Sequence, residues 1–192
     1  MSFKGIYHHR LKYFLSPQID LYKNIAKKYE LCGKMVLDYG CGNGVGSIIL
    51  KEDTNYVLGI DSDPCVIEFA NDVFGHLVDF KECDWSSEHF KCKFDLICCI
   101  EVIEHIEDSR KVLEVFKENL SPGGIIIVST LNHNSQYRKN NEHVGKHTVG
   151  GFRILMNLYF PGVKITDYQL ENDISDDSTV TPMVAVWEKA KQ

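Results

Sequence analysis

The sequence predicts an α/β fold in which seven strands build one mostly parallel sheet with helices on both faces. Three observations carry this prediction. A short apolar run, Met35 to Leu37, stops at Asp38 and passes into closely spaced glycines before the helix-forming Ser47-Ile48-Ile49-Leu50. That is the pattern of a buried parallel strand, a tight turn and a helix N-terminus. The same succession of apolar run, acid and helical stretch returns at Tyr56 to Asp61. The chain then closes with two strands, Val163 to Leu170 and Met183 to Glu188, joined by the acidic stretch Glu171 to Asp177. At 192 residues all of this fits a single domain, 1–192, large enough for a real core.

Taken in order, residues Met1 to Leu15 are rich in aromatic and basic side chains, among them Tyr7 and Arg10. Ser16-Pro17 reads as an N-cap with proline at the first helical position. Ile19, Tyr22, Ile25, Ala26 and Tyr29 give that helix an apolar stripe. After the first strand, Gly40, Gly42 and Gly44 permit positive φ and leave bare main chain against which a ligand can lie. Two ligand classes use such a turn. Gly42-Asn43-Gly44-Val45-Gly46-Ser47 nearly supplies the dinucleotide fingerprint, which seats a pyrophosphate on the helix N-terminus. Asp38, at the strand end, suits an ammonium or sulfonium neighbour better than a pyrophosphate. Asp61, roughly 20 residues past the glycines, is placed to accept both ribose hydroxyls of an adenosine, a need the two classes share. Asp63-Pro64 reads as the N-cap and first residue of a helix through Val66, Ile67, Phe69, Ala70 and Val73.

The third strand, Val78 to Cys83, alternates and ends at Asp84-Trp85. The fourth, Phe94 to Ile100, is apolar on both faces, as a central parallel strand should be. It delivers Glu101-Val102-Ile103-Glu104-His105 to the same sheet edge as the first two loops. A helix follows with Val112, Leu113, Phe116 and Leu120 on its inner face. The turn Leu120-Ser121-Pro122-Gly123-Gly124 leads into a fifth strand, Ile125 to Thr130. Asn132 to Lys146 is polar and too long for a simple connection, and such loops on a rigid scaffold usually carry binding. A helix-like stretch, Phe152 to Phe160, comes next.

The motifs Asp38-Tyr39-Gly40-Cys41-Gly42-Asn43-Gly44, Phe94-Asp95-Leu96-Ile97, Glu101-Val102-Ile103-Glu104-His105 and Leu120-Ser121-Pro122-Gly123-Gly124, in this order, resemble those of the class I S-adenosylmethionine (SAM)-dependent methyltransferases. The resemblance runs from the glycine turn to the end of the chain. It implies a Rossmann-like sheet with an antiparallel C-terminal edge strand, SAM as cofactor and S-adenosylhomocysteine as product. It also implies cofactor contacts from Asp38, Gly40, Gly42, Gly44, Asp61, Ser62 and Ile100, with Asp84 and Trp85 at the adenine. Residues 1–30 would form a lid and helix, with Arg10 reaching the cofactor carboxylate and Tyr7 covering it. Residues 131–150 would form the acceptor-side loop.

His105 and His143 are the candidate bases beside Glu101, since histidine titrates near neutral pH. Glu142-His143-Val144 and Thr148 resemble a segment of bacterial members that act on sugars, lipids and quinones. Here His147 stands where those members usually carry an aromatic residue, and Lys146 where an acid is common. If a helix begins at Glu101, then Glu101, Glu104 and His105 share a face. Oxygen ligands with one imidazole suit Mg²⁺ or Mn²⁺, and His143 or His147 would complete the set. The alternative is that Glu104 and His105 cap the helix and support the cofactor loop.

Composition narrows the partners. A net charge of -6 and a pI near 5.7 argue against general affinity for nucleic acid, a local basic groove aside. No apolar run approaches the roughly 20 residues of a membrane span, and the polar N-terminus lacks a signal-peptide core. Most of the seven cysteines read as small buried hydrophobes in a reducing compartment. The expectation is a cytoplasmic monomer or homodimer that methylates an oxygen or nitrogen of a small-molecule acceptor such as a sugar, lipid, quinone or secondary metabolite. One alternative is a methyltransferase acting on RNA, at a 2′-O or 3′-end, because small-RNA 3′-end enzymes also carry a Glu-x-x-Glu-His segment. The others are a non-catalytic SAM-fold binding protein and a dinucleotide oxidoreductase, the last opposed by Asp38 and the closing hairpin.

Overall fold

The apolar run before the glycines forms β1 (Met35–Tyr39), on which the sheet is centred. A computed structural model of the chain describes residues 16–52, 54, 56–83, 90–135 and 145–189. The remaining strands are β2 (Tyr56–Asp61), β3 (Asp79–Glu82), β4 (Phe94–Ile100), β5 (Leu120–Thr130), β6 (Lys164–Thr166) and β7 (Met183–Glu188). They make one seven-stranded sheet in the order β3-β2-β1-β4-β5-β7-β6. Strands β1 to β5 pair in parallel, whereas β7 runs antiparallel to both its neighbours, β5 and the edge strand β6. The expected antiparallel strand is thus present, and it lies one place in from the edge. Strand order reverses between β1 and β4, so the loops leaving those two strands diverge and open a crevice at their carboxyl ends.

The period of two along the strands divides the core into two layers. On one face, α1 (Ser16–Lys28) and α2 (Val45–Lys51) bring Leu21, Tyr22, Ile25 and Leu50 against Val36, Leu96, Cys98 and Ile127. A third helix, α3 (Pro64–Phe74), packs beside β2 and β3. On the other face, α4 (Ser109–Asn119) and α5 (Val149–Tyr159) bring Val112, Phe116, Phe152 and Met156 against Leu37, Tyr39, Ile97, Cys99 and Val128. Tyr39 and Phe116 meet edge to face, with ring centroids 4.9 Å apart. Asp63 caps α3 as expected, its Oδ1 accepting from the Cys65 N–H at 2.9 Å, with Pro64 at the first helical position.

Three boundaries differ from expectation, each for a local reason. The fifth strand begins at Leu120, directly after α4, because the stretch expected as a turn already pairs with β4 through Phe94 and Leu120 across a register shift. The last helix starts at Val149, three residues early, because Thr148 Oγ1 accepts from the Gly151 N–H at 3.1 Å and closes its first turn. The strand expected over Val163 to Leu170 stops at Thr166. Beyond it, side chains of α1 bind the main chain: Asn24 Nδ2 donates to the Tyr168 carbonyl at 3.0 Å, and Lys28 Nζ donates to that of Leu170. Arg153, on α5, pins the acidic stretch through Asp173 at 2.9 Å and Asp176 at 2.8 Å. Among the described residues no helix is long and apolar enough to cross a membrane. The cysteines are free thiols, with Cys41, Cys83, Cys98 and Cys99 buried.

Candidate active site

The crevice between β1 and β4 is floored by the glycine turn. Gly40, Gly42 and Gly44 adopt φ of 80°, 53° and 83°, values at which a Cβ would be strained. The turn hangs from β2, where the Ile60 carbonyl accepts from the Gly40 and Cys41 N–H groups at 2.8 and 2.9 Å. The three glycines have different reasons to be glycine. A Cβ on Gly40 would lie 2.2 Å from the Val102 side chain, and one on Gly44 would lie 2.7 Å from the Phe80 ring. One on Gly42 would meet none of the described residues within 4 Å. Among the described residues, Gly42 is therefore the position of the turn where bare main chain is left uncovered.

Asp61, at the end of β2, stands over this turn. Its Oδ2 accepts from the Gly42 N–H at 2.9 Å and its Oδ1 from the Asp63 N–H at 3.0 Å. Burial raises its pKa above the ordinary carboxylate value, opposed by those backbone donors. A carboxylate offers about four acceptor sites, so these backbone donors leave acceptor capacity for a ligand's hydroxyl. Ser62 beside it is exposed, and Ile100 is buried in the layer under α1.

Asp38 differs from expectation. The sequence places it beside a cationic ligand group, but in the structure it is 0% exposed. Its oxygens accept from Tyr22 Oη at 2.7 Å and Ser47 Oγ at 2.6 Å. The reason is α1, whose Tyr22 ring packs where a Cβ on Gly46 would stand, 2.3 Å away. Asp38 thus ties α1 to the start of α2, and its influence on a ligand passes through the loop.

That burial has a consequence for stability. Desolvation raises the Asp38 pKa to about 6, against the hydrogen bonds from Ser47 and Tyr22 that lower it. Between about pH 4 and 6 the unfolded chain has released this proton while the folded chain still holds it, so stability falls as pH rises through that window. Asp38→Asn removes the titration. Its stability relative to wild type is expected to improve by about 2–3 kcal/mol between about pH 4 and 7. Urea unfolding across that range checks this, and parallel profiles for the two proteins would refute it.

The Glu-Val-Ile-Glu-His segment leaves β4 as a single 3₁₀ turn, Ile103–His105, and not as an α-helix. Glu101 precedes it at φ 57°, a left-handed conformation that is costly for a residue with a Cβ. Two residues at the end of β5 hold the acids, and the sequence reading missed both. The Glu101 N–H donates to Ser129 Oγ at 3.1 Å, and that hydroxyl donates back to Glu101 Oε1 at 2.9 Å. Thr130 Oγ1 donates to Glu104 Oε2 at 3.0 Å. Adjacent hydroxyls ending an apolar strand were the available signal.

Glu104 is 2% exposed while His105 is exposed on the turn. The face shared by Glu101, Glu104 and His105 in an α-helix therefore does not form. Among the described residues no three acidic, histidine or cysteine side chains gather closely enough to hold a metal ion. Glu101, Glu104 and His105 by themselves therefore do not form the candidate Mg²⁺ or Mn²⁺ set. Arg10, Asp84, Trp85 and His143, with the lid expected over Met1 to Leu15, lie outside the described residues.

Comparison with known proteins identifies the family and the fold. A methyltransferase-domain family model matches residues 32–185. The ubiquinone biosynthesis O-methyltransferase of Pseudomonas paraeruginosa is 31% identical over 115 residues, covering 57% of this chain and 50% of that protein. The chain spans about half the length of the curated relatives it matches. Among solved structures, a SAM-dependent methyltransferase from Clostridium acetobutylicum superposes with a TM-score of 0.75 at 14% identity, over 98% of both chains. The N-methyltransferase NodS from Bradyrhizobium japonicum, solved with S-adenosylhomocysteine, superposes with a TM-score of 0.67 at 17% identity, over 90% of this chain and 85% of that one. These last two likenesses are of fold.

Proposed function

The chain belongs to the methyltransferase-domain family, and from that premise we propose that it is an enzyme moving the methyl group of SAM onto an oxygen or nitrogen of a small-molecule acceptor. The observation that carries this reading is the open main-chain face at Gly42 with the Asp61 carboxylate bonded directly to its N–H. The residues present fit the cofactor: a turn of positive-φ glycines clears space for it, and a part-buried carboxylate with spare acceptor sites suits a ribose diol. When bound, SAM supplies an electrophilic methyl on a sulfonium centre.

The chain's own part is to hold two reactants in line and to keep water out. Such positioning can account for about 7–11 kcal/mol of a displacement barrier. Asp61 fixes the ribose end against the turn, and Gly42 lets the ligand approach the backbone. Glu101, held by Ser129 at the carboxyl end of β4, and the exposed His105 stand on the acceptor side. The curated relatives' name, an O-methyltransferase, favours an oxygen as the methylated atom. A sugar, lipid, quinone or secondary metabolite is the proposed acceptor class. The acidic net charge of -6 favours it over RNA.

Titration calorimetry with SAM, S-adenosylhomocysteine and NAD tests the reading. The first two are expected to bind at micromolar concentration and NAD to give no heat. Tight binding of NAD with no heat from SAM would overturn it.

A further inference from the structure

Residues 145–148 are fixed on both flanks. The Gly145 N–H donates to the Glu104 carbonyl at 2.9 Å, and the His133 N–H donates to the His147 carbonyl at 2.8 Å. Asn132 and His147 also form a parallel bridge just beyond β5. On this fixed backbone stands the His147 imidazole, its centroid 5.7 Å from that of the Phe152 ring. Its Nε2 is buried and has no hydrogen-bond partner among the described residues. A Cβ built on Gly145 would lie 2.9 Å from that nitrogen and 3.3 Å from the Glu104 Cα. The imidazole therefore packs directly against Gly145, beside the Glu-Val-Ile-Glu-His turn, at a contact that a side chain at 145 would break.

Polar neighbours are already engaged. Thr130 donates to Glu104. Asn132 Nδ2 donates to the Ser178 and Val180 carbonyls at 2.7 and 3.1 Å. Thr148 closes the first turn of α5. Buried polar atoms without partners are rare in native folds, and each needs an explanation. Burial also lowers the basicity of this imidazole, so at neutral pH one ring nitrogen carries a proton and the other is a lone-pair acceptor.

We propose that His147 Nε2 is the hydrogen-bond partner of the acceptor's hydroxyl group, which makes the acceptor a neutral, hydroxyl-bearing molecule and the reaction an O-methylation. An uncharged imidazole in an enclosed setting can pair with an O–H in either tautomer. It offers no charge to compensate the desolvation of an ammonium or a carboxylate. This rests on the methyltransferase reading and adds to it a named acceptor contact.

The test compares His147→Phe and His147→Gln with wild type in thermal midpoint, S-adenosylhomocysteine affinity, and turnover of catechol and of methyl glucoside with SAM. His147→Phe is expected to fold at least as stably, since it removes an unpaired polar atom, and to bind S-adenosylhomocysteine as before. Its acceptor KM is expected to rise by about tenfold or more, with partial recovery in His147→Gln. A packing role predicts the reverse, with the phenylalanine silent in turnover. In ¹⁵N-histidine-labelled wild type saturated with S-adenosylhomocysteine, the His147 Nε2 resonance should move when one of these hydroxyl compounds is added. An unmoved resonance with both, or wild-type acceptor KM in His147→Phe, overturns the assignment. Failure of wild type to bind S-adenosylhomocysteine would instead sink the methyltransferase reading itself.

Discussion

Asp61→Ala is expected to weaken binding of SAM and S-adenosylhomocysteine by about a hundredfold or more. Each hydrogen bond to a charged group contributes about 1.5–3 kcal/mol, and two ribose hydroxyls would be lost together. The substitution also frees the Gly42 and Asp63 N–H groups that the carboxylate now holds at 2.9 and 3.0 Å, so the turn is less well formed before the ligand arrives. Asp61→Asn keeps one acceptor oxygen and should fall between. Calorimetry measures the affinities, and circular dichroism confirms that the sheet is intact. An alanine variant that binds SAM like wild type would remove Asp61 from the site.

The glycines of the same turn should separate folding from binding. Gly44→Ala places a methyl 2.7 Å from the Phe80 ring and 3.2 Å from the Ala70 Cβ, at φ 83°. Left-handed strain of about 1–2 kcal/mol and overpacking of about 1–3 kcal/mol together should cost about 2–5 kcal/mol of stability. Gly42→Ala carries the strain alone, at φ 53° with no described residue within 4 Å. It should stay folded but lose SAM binding, because its methyl enters the space the ligand needs. Urea unfolding and calorimetry on the two variants check the contrast. The reverse ranking, Gly42→Ala the less stable and Gly44→Ala the weaker binder, would refute it.

Much of this fold was legible because its signals are local. The buried runs that became β4 and β7 have the bounds read from the sequence, Phe94–Ile100 and Met183–Glu188. Asp63-Pro64 opened a helix for the reason such pairs usually do. Where the reading and the structure part, the cause lies far off in sequence. The sixth strand is short because Asn24 and Lys28 take carbonyls near its expected end. Asp38 sits at the right place on β1, yet Tyr22 and Ser47 enclose it, and no spacing within the glycine motif announces a tyrosine from α1. Glu101, Glu104 and His105 suggested a shared helical face. A positive φ at Glu101 followed by one 3₁₀ turn sends them different ways. His147 stood in the sequence as a departure from an aromatic pattern, and only its enclosure gives that departure chemical content.

The insertion of β7 between β5 and β6 sets an order on assembly. Ile125 pairs with Glu188 and Thr130 with Met183, so the inner edge of the sheet is completed by segments made long after β5 itself. During synthesis the half built from β1 to β5 is complete in sequence well before β7, while the far edge of β5 stays open until the ribosome has released residue 188. An open, apolar strand edge is a template for pairing with other chains. A chain whose β7 has not yet docked would therefore offer the far edge of β5 to a second copy in place of its own later strand.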